Sequence, residues 1–359
     1  MRVIISAGGT GGHIYPALAI LNKIKEKEPN SEFLYIGTHN RMENDIVPGM
    51  GIPYESIEIY GFNKKILKNF KTAFCVFKSY NRCKKIIHDF NPDVVIGVGG
   101  YVTSPVIVAA KKLGYKTVIH EQNSLPGKSN KFLSKYSDLI CVSFKSTISS
   151  FPSYKTVFTG NPCSEDAISK KVISKSKFGI SDDKKLVLIV MGSLGSSKIN
   201  DYIIKSMSSF NNHSYEVLFV TGKSSYDSVI KNKFPSNVHV VPYVDGMTGL
   251  MKNTDLIVSR AGASTISEIV ALGIPSILIP SPYVANNHQF KNAMDLVKNK
   301  SALMIEEKDL NGDILVRKID EVLCDSEKIK NIKKNLKLLV VKNSASLIYE
   351  NIKELVDRK

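Results

Sequence analysis

The residues best suited to chemistry stand near the start of the chain, in RVIISAGGTGGHIYPALAI (Arg2 to Ile20). Glycines surround Thr10 and His13 follows directly, so an imidazole able to exchange a proton near neutral pH sits beside a backbone that can approach a ligand closely. Val3, Ile4 and Ile5 are a short β-branched run fit for a buried parallel strand, and Pro16 to Leu21 opens a helical pattern that continues to about Lys27. Strand, glycine turn and helix in that order aim the free N–H groups and positive end of the helix at the turn, which favours an anion or a sugar hydroxyl there. The order G-G-T-G-G-H is neither the dinucleotide G-x-G-x-x-G nor the phosphate loop G-x-x-x-x-G-K-[ST]. The turn alone therefore fits a ligand cradle and a bare strand-to-helix turn equally.

A second group lies in SRAGAST (Ser259 to Thr265), which leads into ISEIVALG. Gly262, Ala263, Ser264 and Thr265 stand where a helix should begin, so N–H groups and two hydroxyls would face a diphosphate. Glu268, one turn further on, can accept both hydroxyls of a ribose, which makes a nucleoside diphosphate the natural fit. A capping box, with Ser264 or Thr265 as cap and Glu268 nearby, would give the same letters, and Gly192-Ser193 in the same half weights the choice toward the nucleotide. YVDGM (Tyr243 to Met247) could hold a flat base through the main chain at Val244. SPYVANNHQFKNA (Ser281 to Ala293) groups Asn286, Asn287, His288 and Gln289, whose amides suit sugar hydroxyls and also ordinary loop and cap chemistry.

The elements that must position these residues repeat. KKLVLIVMGSLGSSKINDYIIKSM (Lys184 to Met207) restarts the strand, glycine turn and helix of the N-terminus. NPDVVIGVGGYVTSPVIVAAKKLGYKTVIHEQN (Asn91 to Asn123) and NTDLIVSRAGASTISEIVALGIPSILIP (Asn253 to Pro280) both run Asp, apolar strand, glycine-containing turn, helix, Leu-Gly and apolar strand. Two copies of a βαβ-rich unit imply an α/β protein of two Rossmann-like, doubly wound parallel-sheet domains, with ligands at the C-terminal ends of the strands and a cleft between the domains as candidate site. Gly160-Asn161-Pro162 closes the first, giving expected domains of 1–163 and 164–343, and the amphipathic stretch 344–359 forms a C-terminal helix that caps one of them, the sequence leaving open which.

Length and composition bound the rest. The 359 residues are 43% hydrophobic, enough for two full cores, and no apolar stretch approaches the roughly 18 residues of a membrane span. The chain opens on a strand, so we expect a cytosolic protein that does not cross the bilayer. Five scattered cysteines with no C-x-x-C pair suggest neither a disulfide framework nor a zinc site. The net charge of +16 asks for an anionic partner. Nucleic acid is the weakest choice, because only six of the 49 basic residues are arginine and no zinc-finger, RNP-like or basic-region pattern occurs.

Taken in order along nearly the whole chain, GGTGGHIYPALAI, GVGGYVTSP, HEQN, GNP, MGS, RAGAST-x-SE and NNHQ-x-x-NA resemble the MurG family of peptidoglycan-synthesis glycosyltransferases. The resemblance implies a GT-B fold whose N-terminal domain takes lipid I (undecaprenyl-pyrophosphoryl-MurNAc-pentapeptide) and whose C-terminal domain takes UDP-GlcNAc. It implies donor contacts at Thr10, Gly11, Gly12, Asn123, Ser193, Val244, the run Ala263, Ser264, Thr265, Ile266, Ser267 and Glu268, and Gln289, with Arg260 as a further contact. Ser164 stands where the family often has arginine and Leu194 where glutamine is common, so a cationic and an amide contact are missing from the pattern. The reaction implied is inverting transfer of GlcNAc to the muramyl C4 hydroxyl, with His13 as candidate base and Glu121 of HEQN as its rival. With no Asp-x-Asp motif, neither a metal nor a cofactor is expected, and helix-end N–H groups would ease the charge on departing UDP.

One stretch points to a membrane surface. From Ile59 to His88 there is no Asp or Glu, while Lys64, Lys65, Lys68 and Lys71 interleave with Ile66, Leu67, Phe70, Phe74 and Phe77 at helical spacing. An apolar stripe bordered by cations suits a helix lying on anionic lipid, and equally a core-facing helix with a solvated basic side. With a substrate tail that stays in the bilayer, peripheral attachment at the cytoplasmic face of the cell membrane is the expectation, with cell-wall machinery proteins as further partners. The alternatives are another GT-B lipid glycosyltransferase of the diacylglycerol type, a dinucleotide-dependent oxidoreductase, which lacks its glycine fingerprint here, and a non-catalytic membrane adaptor, which leaves the paired glycine loops unexplained.

Overall fold

The computed structural model describes residues 1–60, 69–192 and 195–358, with backbone alone for 69–74. The chain divides into two compact units. Unit 1 is Met1–Cys163 with Asn343–Lys359, and unit 2 is Ser164–Lys342.

Among the described residues unit 1 carries seven strands: β1 (Arg2–Ala7), β2 (Glu32–Thr38), β3 (Tyr54–Ile57), β4 (Val94–Gly99), β5 (Lys116–Glu121), β6 (Leu139–Val142) and β7 (Thr156–Phe158). They form one sheet in the order β3-β2-β1-β4-β5-β6-β7, every pairing parallel. Its helices are α1 (Gly11–Lys27), α2 (Glu43–Gly49), α3 (Asn69–Phe90), α4 (Thr103–Lys112), α5 (Lys128–Leu133) and, returning from the far end of the chain, α14 (Ser344–Asp357). Parallel strands covered on both faces must be apolar throughout, which is why β4 is buried along its whole length. On one face Val3, Ile5 and Val94 pack with Ile20 and Ile24 of α1 and Ile348 and Ile352 of α14. On the other, Ile4 and Val95 pack with Ile87 of α3 and Val106 and Ala110 of α4.

Unit 2 carries β8 (Leu186–Val190), β9 (Glu216–Val220), β10 (Val238–Val241), β11 (Leu256–Ser259), β12 (Ser276–Leu278) and β13 (Leu303–Met304), all parallel, in the order β10-β9-β8-β11-β12-β13. Helix α6 (Cys163–Ser169) starts at the crossing between units, followed by α7 (Ser197–Lys205), α8 (Tyr226–Val229), α9 (Met247–Met251), α10 (Ala263–Leu272), α11 (His288–Lys298), α12 (Ile314–Leu323) and α13 (Ser326–Leu339). Val187, Ile189, Phe219 and Val258 of the sheet pack against Ile203 of α7, Ile319 of α12 and Leu336 of α13. Strand order reverses between β1 and β4 in unit 1 and between β8 and β11 in unit 2. A doubly wound sheet opens a crevice at that place, where the loops after the two strands part to opposite faces.

Among the described residues no helix is long and apolar enough to cross a membrane.

Candidate active site

In unit 1 the loops after β1 and β4 meet at the switch point. Gly8 N–H donates to Gly99 O at 3.2 Å, and Gly100 lies so close that a side chain there would strike the Gly8 carbonyl. Gly99 and Gly100 both have positive φ, +121° and +90°, a conformation that glycine alone adopts without strain. A side chain at Gly99 would strike the His13 ring. Thr10 caps α1 with extended backbone, φ −149°, and His13, in the first turn, is half-buried with Nδ1 3.1 Å from Gly8 O and 3.5 Å from Thr10 Oγ1. A carbonyl only accepts, so Nδ1 carries the proton in the neutral ring and the basic lone pair belongs to Nε2.

Beneath this loop sits Glu43, fully buried at the start of α2. Its Oε2 accepts Gly9 N–H at 3.1 Å, and its Oε1 accepts Thr38 N–H at 3.3 Å and Thr38 Oγ1–H at 2.7 Å. Gly8 has no side chain because one would meet this carboxylate. Nothing in the local sequence marks Glu43, whose partners lie at the ends of β1 and β2. The one clue is an acidic residue five positions after a strand, too common to be informative.

Glu121 closes β5, also buried. Four donors converge on its carboxylate: Asn123 N–H at 2.9 Å, Asn123 Nδ2 at 3.2 Å, Gly127 N–H at 3.0 Å and Asn130 Nδ2 at 2.9 Å. They commit its lone pairs to shaping the loop that carries Asn123. His120 beside it is buried and pushed down to about 4 by burial. It stays neutral, with Nε2 3.3 Å from Gly160 O and Nδ1 3.1 Å from the Gln122 amide nitrogen.

In unit 2 the loop after β11 runs into α10 with Gly262 as extended N-cap. Ala263 and Ile266 are buried, so a ligand would reach them through the main chain. Ser264 Oγ is buried with no hydrogen-bond partner among the described residues, an arrangement that costs free energy unless a ligand satisfies it. Ser267 Oγ donates to Ser264 O at 2.7 Å. Glu268, on the first turns of α10, receives Thr248 Oγ1–H of α9 at 3.4 Å. Burial pushes its carboxyl up to about 7, and Asp166 adds to the rise. Val244 is buried in the loop before α9. Gln289 Oε1 accepts Ser281 N–H at 2.8 Å, which leaves the NH2 end of that amide to donate. Just before it Asn286 and Asn287 are consecutive left-handed residues, φ +55° and +51°, a rare pairing outside glycine.

Arg260 is a tie within unit 2. Its guanidinium lies 2.7 Å from Glu307 Oε2, donates to Ser196 Oγ at 3.0 Å and reaches Ile279 O at 3.2 Å, while Lys198 lies 3.0 Å from Glu307 Oε1. Burial pushes the Glu307 carboxyl up, but Arg260 and Lys198 outweigh it and hold it below its usual range. Ser164 is buried and donates to Val341 O at 3.0 Å.

The sequence-derived residues thus fall into two clusters, Thr10, Gly11, Gly12 and His13 with Asn123 two strands along in unit 1, and Ala263 to Glu268 with Val244 and Gln289 in unit 2. Ser193 and Leu194 lie outside the described residues, as do Lys64, Lys65, Ile66, Leu67 and Lys68 and the side chains of Phe70, Lys71 and Phe74. Phe77 on α3 is 65% exposed. Among the described residues no three His, Cys, Asp or Glu side chains cluster as a metal site would.

Comparison with known proteins matches residues 3–142 to the glycosyltransferase family 28 N-terminal domain and residues 186–352 to the family 28 C-terminal domain. The UDP-N-acetylglucosamine--N-acetylmuramyl-(pentapeptide) pyrophosphoryl-undecaprenol N-acetylglucosamine transferase 1 of Bacillus cereus is 49% identical over 364 residues, covering 100% of both chains. The like-named transferase of Bacillus licheniformis is 46% identical over 99% of both. Among solved structures, MurG of Acinetobacter baumannii superposes with a TM-score of 0.80 at 24% identity over 98% of this chain and 99% of that one. The UDP-GlcNAc 2-epimerase of Neisseria meningitidis bound to UDP-GlcNAc gives 0.68 at 17% identity over 99% and 100%. Two parallel-sheet domains of the GT-B kind, both domain matches and full-length identity to named transferases lead to one conclusion: the chain belongs to glycosyltransferase family 28, in its MurG group.

Proposed function

We propose that the chain transfers GlcNAc from UDP-GlcNAc to the C4 hydroxyl of the muramyl sugar of lipid I, with inversion, giving β-1,4-linked lipid II and UDP for peptidoglycan synthesis. The observation that carries this reading is full-length identity of 49% to a transferase named for that donor and acceptor. Unit 2 takes the donor. Its base lies against the Val244 loop, its ribose hydroxyls donate to Glu268, and its diphosphate faces the N–H groups of α10 and the orphaned Ser264 hydroxyl. The Gln289 NH2 donates to a GlcNAc hydroxyl. Unit 1 takes the acceptor, with Thr10, Gly11, Gly12 and Asn123 as further donor contacts.

In the chemical step His13 Nε2 accepts the proton of the C4 hydroxyl as that oxygen bonds to GlcNAc C1. The C1–O bond to UDP breaks, and its electron pair leaves with the diphosphate. His13 is preferred to Glu121 because the Glu121 carboxylate already accepts four donors. The protein works at the cytoplasmic face of the membrane, attached peripherally through the basic, apolar stretch 64–77, beside other proteins of cell-wall synthesis.

The test is transfer of labelled GlcNAc to a short-chain lipid I analogue by wild type and His13→Ala. Transfer by wild type with a fall of at least a hundredfold in the variant and UDP binding retained is expected for a general base. Turnover of UDP-GlcNAc with a diacylglycerol acceptor and none with the lipid I analogue would overturn the named substrate.

A further inference from the structure

The Gly8–Gly9 peptide group is engaged at both ends. Its N–H donates to Glu43 Oε2 at 3.1 Å, and its C=O accepts from His13 Nδ1 at 3.1 Å. A trans peptide points these groups in opposite directions, so a buried carboxylate and the imidazole sit at the two ends of one planar, polarisable unit. We propose that Glu43 is a positioning residue for His13, acting through the Gly8–Gly9 peptide bond to hold the Nδ1–H tautomer and raise the basicity of Nε2. The inference rests on His13 being the base and explains how a half-buried imidazole is kept in the state the reaction needs.

First, both Glu43 oxygens face only donors, Gly9 N–H on one and the Thr38 N–H and hydroxyl on the other, which is how an ionised carboxylate is satisfied. Second, a donor bound to an anion polarises its peptide, so the Gly8 carbonyl oxygen becomes a stronger acceptor for Nδ1–H. That favours one tautomer, as a carboxylate touching the ring would, and favours the imidazolium formed when Nε2 takes a proton. Third, the unit is fixed in place. Gly8 N–H is bound to Gly99 O, and side chains at Gly99 or Gly100 would strike the ring or the Gly8 carbonyl.

The titratable groups that face Glu43 include two phenols and one carboxylate. Tyr35 of β2 donates to Ala7 O at 3.0 Å, and Tyr54 of β3 donates to Thr38 O. Burial, then the Glu43 charge, pushes both phenols up, and Asp45 of α2 adds to Tyr54. Both therefore stay neutral through the working range. Thr10 and Gly99 flank the ring itself.

Three measurements on the full chain test this, using wild type, Glu43→Gln and Glu43→Asp, the last keeping the charge but withdrawing it from Gly9. In histidine-selective 15N spectra, wild-type His13 should be in the Nδ1–H form when neutral, and both variants should show mixed tautomers. In the transfer assay kcat should fall about tenfold or more, with the UDP dissociation constant within twofold. In Glu43→Gln the acidic limb of the kcat profile should move down by about half a pH unit, because a ring without the distant anion holds its proton less tightly, and in Glu43→Asp, which keeps the charge further off, by less. A purely structural carboxylate would lower kcat and leave that limb in place. An Nε2–H tautomer in wild type, or an unmoved limb and tautomer in both variants, overturns the proposal. Should Glu43→Gln not fold, Glu43→Asp carries the comparison. If His13→Ala stays active the base assignment fails separately, and the tautomer spectra still decide whether Glu43 governs the ring.

Discussion

Glu268 and Glu307 are acidic residues of unit 2 with opposite environments, and the contrast separates a ligand group from a structural one. Glu307 is met by Arg260 and Lys198 and held below its usual range. Glu268 has one long bond to Thr248 and is pushed up to about 7, chiefly by burial. A raised carboxyl binds a proton on folding between about pH 4.5 and 7, so stability falls as pH rises through that window and is lowest above it. Ribose hydroxyls would supply the donors the ionised form lacks. Glu268→Gln should therefore raise the thermal midpoint of unit 2 at pH 8 but not at pH 4, and weaken UDP binding about ten- to a hundredfold at pH 8. Calorimetry at the two pH values and UDP titration check both halves, and a variant that binds UDP as wild type does would remove Glu268 from the site. Residues of this kind were legible in the sequence because donor, acceptor and helix start fall within six positions. Glu43 was not, since its meaning arises only when β2 brings it beneath Gly9, 34 residues away in the chain.

At the scale of elements, the repeat Asn91–Asn123 and Asn253–Pro280 turns out to be β4-α4-β5 and β11-α10-β12, in each unit the strand pair that begins beside the switch point. The sequence displayed it because strands buried on both faces must be continuous apolar runs, here bounded by glycine-containing turns. Short edge pieces such as β13, two residues long, carry no such pattern and are defined by their neighbours alone. The glycines after β4 were readable as a turn, but not their purpose, which is to let one loop pass against another. Gly100→Ala should strain the backbone and push on the Gly8 carbonyl, at a cost of about 2–3 kcal/mol to unit 1. Transfer should fall at least tenfold while UDP still binds unit 2. A variant with unaltered transfer and melting would show that the two loops can separate freely.

For the whole molecule, the net charge of +16 needs a counterpart, and the acid-free stretch Ile59 to His88 concentrates part of it next to Phe77, an aromatic ring 65% exposed on α3. Each lysine near an anionic leaflet is worth about 1 kcal/mol, so replacing Lys64, Lys65, Lys68 and Lys71 together by Gln should cut binding to phosphatidylglycerol vesicles at least tenfold at low salt, with transfer to a water-soluble acceptor unchanged. Sedimentation with vesicles measures it, and equal binding by wild type and variant would assign the charge to some other role.

Helix α14 has a different consequence, for the order in which the protein is made. Unit 2 is inserted between the body of unit 1 and the helix whose Ile348 and Ile352 complete one of its cores. A ribosome moving along the message therefore finishes all of unit 2 while unit 1 is still one helix short, its sheet uncovered where α14 will lie beside α1. During that interval unit 1 exposes the apolar surface that Ile348 and Ile352 will cover, and its core closes only when the returning helix emerges from the exit tunnel.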